Sequence, residues 1–363
     1  MATISFARGA PCPEALSGDL IAECTRAALA ADHVRILSYG TGNGYPPLRE
    51  LLAAEHGASP DQVFVTNGSL QGFVFLLDTL LERGDRVAVE APTYDRALLQ
   101  LRLHGMEVLP IPVEGDGLDV DALAAACAEG RAPRLIYVIP NFQNPSGATI
   151  SLEKRRALVE VCERNDILIL EDDPYGKLRF EGEPLPSIAE LAPAGRVLFT
   201  SSFSKTVAPG LRVGSLVAPK EIAGPLAAAA SRTYISPALL AEAAVHQLIS
   251  SGGLPGNIAR VTGLMRERRD AMVAGLGEMP EGTECTPPAG GFFMWLTLPE
   301  GLSADALFDE AAGAGVAYVK GSDCFLSGGE RPLRLAYSGV SPAEIEEGTR
   351  RLGGVFRGAV VAS

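Results

Sequence analysis

Residues 197–217 read VLFTSSFSKTVAPGLRVGSLV. The two ends of this stretch, Val197–Thr200 and Val213–Val217, are short apolar runs of the kind that make buried strands. Between them lie several hydroxyl side chains, one lysine, Lys205, and one arginine, Arg212. A lysine that follows a buried strand and sits near other cations has a lowered pKa and can act as a nucleophile. An arginine seven residues on is well shaped to fork onto an anion.

Working outward, the same texture recurs. Val63–Thr66, Arg86–Glu90, Glu107–Ile111, Leu135–Ile139 and Ile167–Glu171 are further short apolar runs. Helical patterns separate them, such as LQGFVFLLDTLLERG at 70–84 with Gly84 as its stop, and SLEKRRALVEVCERN at 151–165. Strands that alternate with helices predict an α/β fold with a mainly parallel sheet, here of seven strands. After about residue 220 the texture changes. An Ala-rich helical stretch at 223–253 leads into a long helix around 258–276. Then GGFFMWLTLP and PLRLAYS read as strands with a helix, DALFDEAAGAG, between them, which suggests a smaller α+β unit. The division expected is a segment 1–37 that packs with the small domain, a large domain 38–256 and a small domain 257–363.

Composition narrows the functions. Hydrophobic residues make up 47% of the 363 and charged ones 21%, which is ordinary globular usage. The net charge of −13 makes nucleic acid and anionic membrane poor partners. The six cysteines show no metal-ligand spacing and read as reduced thiols in the cytoplasm. No metal site is expected. No signal peptide is read in the first residues, and no apolar stretch approaches the roughly 18 residues of a membrane span.

In open α/β sheets, ligands bind beyond the carboxyl ends of the strands, so the residues that follow each strand carry the chemistry. After Val63–Thr66 comes NGSLQG, small residues that open a helix and can cradle an anion. After Arg86–Glu90 comes Tyr94, a ring that can stack on a planar ligand. After Leu135–Ile139 comes Asn144, an amide donor, and after Ile167–Leu170 come Glu171, Asp172 and Asp173. A buried carboxylate wants a cationic partner. Taken one at a time, each residue has an ordinary structural explanation. Together, an anion cradle, a ring, an amide, a carboxylate, a lysine and an arginine on one sheet edge are the parts that pyridoxal 5′-phosphate needs.

The motifs YGTGNGYPPLREL at 39–51, TNGSLQG, APTYDRAL, PNFQNPSG, EDDPYGKLRF, SSFSKTVAPGLRVG, PAGGFFMWLTLP and RLAYS at 334–338 follow one another along nearly the whole chain. In this the sequence resembles the fold type I pyridoxal-phosphate aminotransferases of class I/II, and within them the 2-aminoadipate/kynurenine aminotransferase-like branch. The resemblance implies that Lys205 holds the cofactor as a Schiff base, that Asp172 pairs with its pyridine nitrogen, and that Tyr94 stacks on its ring. It further implies that Asn144 and Tyr175 bond the phenolate oxygen. Ser69, Leu70, Gln71, Ser202 and Arg212 would hold the phosphate. Tyr39 would reach the phosphate from the partner in a homodimer. Arg334 would fork onto the substrate α-carboxylate, with Gly40 beside the substrate. The activity implied is amino transfer from an L-α-amino acid to a 2-oxo acid such as 2-oxoglutarate, by a ping-pong mechanism.

Two positions depart from the pattern. Arg8 in ISFARGAP stands where the branch usually has a second glycine, and Lys320 in YVKGSDCF where it usually has a proline. Either cation is a candidate for an acidic substrate side chain. Two other readings stay open. One is a different reaction on the same fold and cofactor, a β-lyase, decarboxylase or oxidase. The other is the ligand-sensing half of a transcription regulator, against which the acidic charge and the early start of the motifs weigh.

Overall fold

The computed structural model describes residues 3–192 and 195–362. Met1, Ala2 and Ser363, at the ends of the expected domain division, lie outside the described residues. The large sheet has the spatial order Val63–Thr66, Gly214–Val217, Val197–Ser202, Leu168–Asp172, Leu135–Val138, Arg86–Ala91, Glu107–Glu114, Gly117–Leu118. Its middle is parallel: the five strands from Val197–Ser202 across to Glu107–Glu114 form four parallel ladders. Val63–Thr66 and Gly214–Val217 close one edge in antiparallel pairing. The seven expected strands are all present. The eighth, Gly117–Leu118, is a two-residue antiparallel return at the other edge, too short to show an apolar pattern of its own.

Helices cover both faces because the strands alternate. Leu135, Tyr137, Leu170 and Leu198 point into one apolar core with Phe73, Leu76 and Leu77 of the helix Ser69–Leu80. Ile136, Val138, Ile169 and Ile167 point into a second core with Leu158 and Cys162 of the helix Leu152–Arg164. Each such buried aliphatic or aromatic side chain stabilises the fold by about 1.5–3 kcal/mol relative to exposure.

The Ala-rich stretch makes two helices, Lys220–Tyr234 and Leu239–Ser250, broken at Ile235. Helix Gly253–Ala274 leads into the C-terminal part, where Glu284–Cys285, Phe293–Thr297, Pro332–Ala336 and Val319–Lys320 form a four-stranded antiparallel sheet. The N-terminal segment divides. Ile4–Ser5 pairs in parallel with Val316–Ala317 of the small domain. The helix Gly18–Leu37 lies instead on the large domain, where Cys24, Ala28 and Ile36 share a core with Leu239, Val245 and Leu248. None of the described helices is long and apolar enough to cross a membrane, and all six cysteines are unpaired.

Candidate active site

The carboxyl ends of the parallel strands open into a cavity of about 560 Å³, within the ordinary range for small-molecule sites. Strand periodicity decides which side chains reach it. In Leu168–Asp172, Leu170 and Asp172 line the cavity, so Glu171 must face the other way. It does, and accepts from the backbone N–H groups of Ile188 and Ala189, 2.9 and 2.8 Å away, at the start of a helix. The same parity puts Thr200 and Ser202, and Tyr137 and Ile139, into the cavity.

Asp172 is buried. Its Oδ2 accepts from the Tyr137 hydroxyl at 2.7 Å, and its Oδ1 is buried without a hydrogen-bond partner. Burial pushes its carboxyl up to about 7 against the pull of the Tyr137 hydrogen bond, with Asp173 adding to the rise and Lys205 opposing it. Asp173 is itself occupied, with Gly176 N–H and Asn141 Nδ2 as donors. The Lys205 amine is brought down to about 8, mainly by burial and then by the Arg334 and Arg212 guanidiniums, while Asp172 pulls the other way. Its Nζ donates to the Gly9 carbonyl at 2.7 Å.

Beside the cavity, Gly68 adopts φ of 93°, and the helix Ser69–Leu80, whose Ser69 and Leu70 line the cavity, begins just beyond it. The first N–H groups of a helix lack intrahelical partners, and the helix dipole adds positive character there. Arg212 joins them from a left-handed backbone conformation, φ 52°, with Nη2 donating to Asn67 O at 3.3 Å and Nη1 to Ser204 Oγ at 3.4 Å. A Cβ on Gly68 would lie 2.2 Å from Arg212 Nη2. Ser202 Oγ donates to Ser204 Oγ at 2.9 Å. Together these donors have the chemistry of an anion site.

Arg334 lies on the small domain. Its Nη1 donates to Asn144 Oδ1 at 2.8 Å and its Nη2 to the Ala7 carbonyl at 2.7 Å; its buried Nε has no partner. Its guanidinium carbon is 4.3 Å from the centre of the Phe293 ring. Tyr94, at the start of the helix Asp95–Leu103, borders the cavity, and burial raises its phenol to about 12, with Asp95 and Asp172 contributing. Tyr175 is buried there too, its phenol pushed up by the same cause.

Of the residues singled out in the sequence, Arg8, Ser69, Leu70, Tyr94, Asn144, Asp172, Tyr175, Ser202, Lys205, Arg212 and Arg334 line this one cavity. Four do not. Gln71 turns back, its Oε1 accepting from Asn67 N–H at 2.9 Å. Gly40 packs under Leu239, and its N–H donates to Ser236 Oγ at 3.3 Å. Tyr39 is 86% exposed. Lys320 pairs opposite Leu333, whereas Val319 pairs opposite Arg334. Val319 and Arg334 therefore share the cavity face, and Lys320 points to the other, where its ammonium lies 5.8 Å from the centre of the Phe308 ring. Tyr137, Ser204 and Gly9 line the cavity as well, without having been expected there. Strand alternation would have placed Tyr137 beside Asp172. No local signal marks the Gly9 carbonyl, which reaches Lys205 from 196 positions away.

Residues 3–352 match the family Aminotransferase class I and II. The chain belongs to that family. It is 38% identical to the 2-aminoadipate transaminase of Thermus thermophilus, over 98% of this chain and 90% of that one. It is 34% identical to aromatic-amino-acid aminotransferase 1 of Thermococcus litoralis, over 96% of this chain and 87% of that one. Among solved structures, it superposes with a TM-score of 0.94 on LysN, the α-aminoadipate aminotransferase of Thermus thermophilus complexed with N-(5′-phosphopyridoxyl)-L-leucine, at 36% identity over 99% of this chain and 94% of that one. This aminotransferase is thus a fold type I, pyridoxal-phosphate-dependent transaminase. The cavity fits the cofactor on its own terms. It offers a buried acceptor without a partner at Asp172 Oδ1, a buried amine at Lys205 and an anion site at Ser69 and Arg212.

Proposed function

We propose that this aminotransferase moves the amino group of an L-α-amino acid to a 2-oxo acid, 2-oxoglutarate being the expected acceptor, in two half-reactions at one site. The observation that carries this reading is the placement of Lys205, Asp172 and Arg334 around a single cavity. Bound there, pyridoxal 5′-phosphate supplies an aldehyde that amines attack and a protonated ring that accepts electrons. Lys205 is the amine that holds the aldehyde. Ser69, Ser202 and Arg212 hold the phosphate, with Leu70 and Gln71 shaping the turn around it. Asn144 and Tyr175 bond the phenolate oxygen, and Tyr94 covers the ring. Asp172 Oδ1 is the acceptor for the ring nitrogen, and a charge fixed in a dry site is worth several kcal/mol.

Arg334 receives the substrate α-carboxylate; Gly40, packed under Leu239 outside the cavity lining, keeps no such role. The Arg334 fork sets which Cα bond stands against the ring, and so favours loss of a proton over loss of carbon dioxide. Lys205, freed and neutral, takes the Cα proton on Nζ; the Gly9 carbonyl, already 2.7 Å from Nζ, accepts from the ammonium that results. Arg8 lines the same cavity, and we assign it to an acidic substrate side chain. Lys320, on the other face, has no such assignment. The chain works as a homodimer in which Tyr39 reaches the partner's phosphate site, and its exposure, with that of Leu37 and Val34, supports a covered surface there. We place the enzyme in the cytoplasm, which the six unpaired cysteines support.

The test is a panel of amino acids added to the holoenzyme, with the cofactor absorbance followed. Acidic amino acids are expected to convert the cofactor to its amine form, and 2-oxoglutarate to restore it. Release of pyruvate with ammonia, of carbon dioxide or of peroxide would instead show a lyase, decarboxylase or oxidase. If Arg8→Ala left the preference for acidic over apolar amino acids unchanged, its assignment would be wrong.

A further inference from the structure

We propose that Tyr137 is a positioning residue for Asp172: its hydroxyl ties down Oδ2, so that Oδ1 is the oxygen offered to the ring nitrogen of the cofactor. The inference rests on the transaminase reading of the site and adds to it a residue that acts through Asp172.

Asp172 is buried, and its two oxygens differ. Oδ2 accepts from Tyr137 at 2.7 Å, while Oδ1 has no partner. An unpartnered buried carboxylate oxygen is costly. A carboxyl free to rotate about its last torsion would turn its open oxygen out of line with the cavity. The hydroxyl removes that freedom, because Tyr137 is itself fixed. It sits on Leu135–Val138, next to Leu168–Asp172 in the parallel sheet, with Tyr137 opposite Leu170. Its ring is buried and lies 5.3 Å from that of Phe73. Burial and the neighbouring Asp172 push its phenol well up, so it stays a neutral donor at any working pH.

The hydroxyl also acts on the charge. Its hydrogen bond lowers the proton affinity of Asp172, whereas burial and Asp173 raise it. The other ionisable groups that line the cavity with this carboxyl are Lys205 on the loop after Val197–Ser202, Tyr94, Asp95, Arg96, Tyr175, Arg212, Arg334 and Arg8, while Glu90, on Arg86–Ala91, lies beyond the strand of Tyr137 and acts on that phenol. Of the hydrogen bonds in the structure, only that from Tyr137 reaches the Asp172 carboxylate among the described residues. Without the cofactor, removing it leaves burial opposed by Lys205 alone, so the carboxyl holds its proton to higher pH; with the cofactor bound the direction is the same, because the same hydrogen bond to the charged form is lost.

Tyr137→Phe deletes the hydroxyl and keeps the ring. In the holoenzyme, kcat is expected to fall about tenfold, with the KM for the amino acid unchanged, and the acid limb of kcat/KM is expected to move to higher pH. Pyridoxal 5′-phosphate titrated into the stripped protein should bind about tenfold more weakly, the size expected for one hydrogen bond to a charged group. In an Asp172→Asn background the same substitution should change none of these further. The proposal is overturned if Tyr137→Phe alters only the melting temperature, with the cofactor affinity and the acid limb unmoved, or if its effects add fully to those of Asp172→Asn. Failure of the holoenzyme to transaminate any amino acid would sink the functional reading instead, while the cofactor titration would still report on Tyr137.

Discussion

Asp172 sets the cost of a buried charge against its use. A carboxylate with one oxygen unpartnered in a buried site destabilises the fold it belongs to. Because it lines the cavity, a cationic partner can offset that cost, and a protonated ring nitrogen is one. Asp172→Asn separates the two effects. The amide oxygen can still accept from Tyr137, and the buried negative charge is gone. The stripped variant is therefore expected to melt at or above the wild-type temperature near pH 8. Its holoenzyme should lose about a thousandfold in kcat, the scale of a preorganised charge in a dry site. Thermal melting by circular dichroism and single-turnover kinetics measure the two. A variant that melts lower and turns over normally would mean that Asp172 is a structural residue only.

At the level of elements, the active site is a set of strand ends, and most of it can be read from sequence because strands have period two. The apolar runs located seven strands, and the residues that follow them supplied the lysine, carboxylate, amide and ring. What stayed hidden lacked a local pattern. Gly117–Leu118 is two residues long. Lys320 attracted attention as a cation, yet its register opposite Leu333 turns it from the cavity. That register is a long-range fact. The Gly9 carbonyl is likewise brought to Lys205 by the pairing of Ile4–Ser5 with Val316–Ala317, not by anything near Lys205 in sequence. The turn at Gly68 shows the reverse case, an element whose chemistry is legible from one residue. Its φ of 93° disfavours any side chain, and a Cβ there would meet Arg212 Nη2 at 2.2 Å. Gly68→Ala should cost at least about 1 kcal/mol of stability from the backbone alone. By displacing the guanidinium, it should also weaken binding of pyridoxal 5′-phosphate and of inorganic phosphate by tenfold or more. Binding of both at wild-type strength would show that Arg212 does not serve the anion site.

Across the whole molecule, the large domain buries acids that its chemistry does not use. Glu90, Glu171 and Glu242 join Asp172 in having burial push their carboxyls up, to about 8, 7, 8 and 7 respectively. Between the ordinary carboxylate range and these raised values, the folded protein holds protons that the unfolded chain has released, so stability falls as pH rises. The exposed carboxylates held low by their partners, such as Asp116 beside Lys154, act in the opposite sense, but their contribution is complete above about pH 5. Lys205 also opposes the trend, though only above about 8, where the folded protein has given up a proton that the unfolded chain keeps. Glu242 isolates the effect outside the cavity lining. Its Oε2 accepts from Tyr45 N–H at 2.6 Å and its Oε1 has no partner. Glu242→Gln keeps an oxygen for Tyr45 and removes the titration. Urea unfolding of the stripped protein at pH 5.5, 6.5 and 7.5 should show wild-type stability declining, with the variant's decline shallower by about 1.4 kcal/mol per pH unit. The two should be closest at the acid end and separate steadily above it, because the wild-type carboxyl is neutral there in the fold. Parallel lines for the two proteins would mean that Glu242 is ionised in the fold, with a cation or water reaching Oε1.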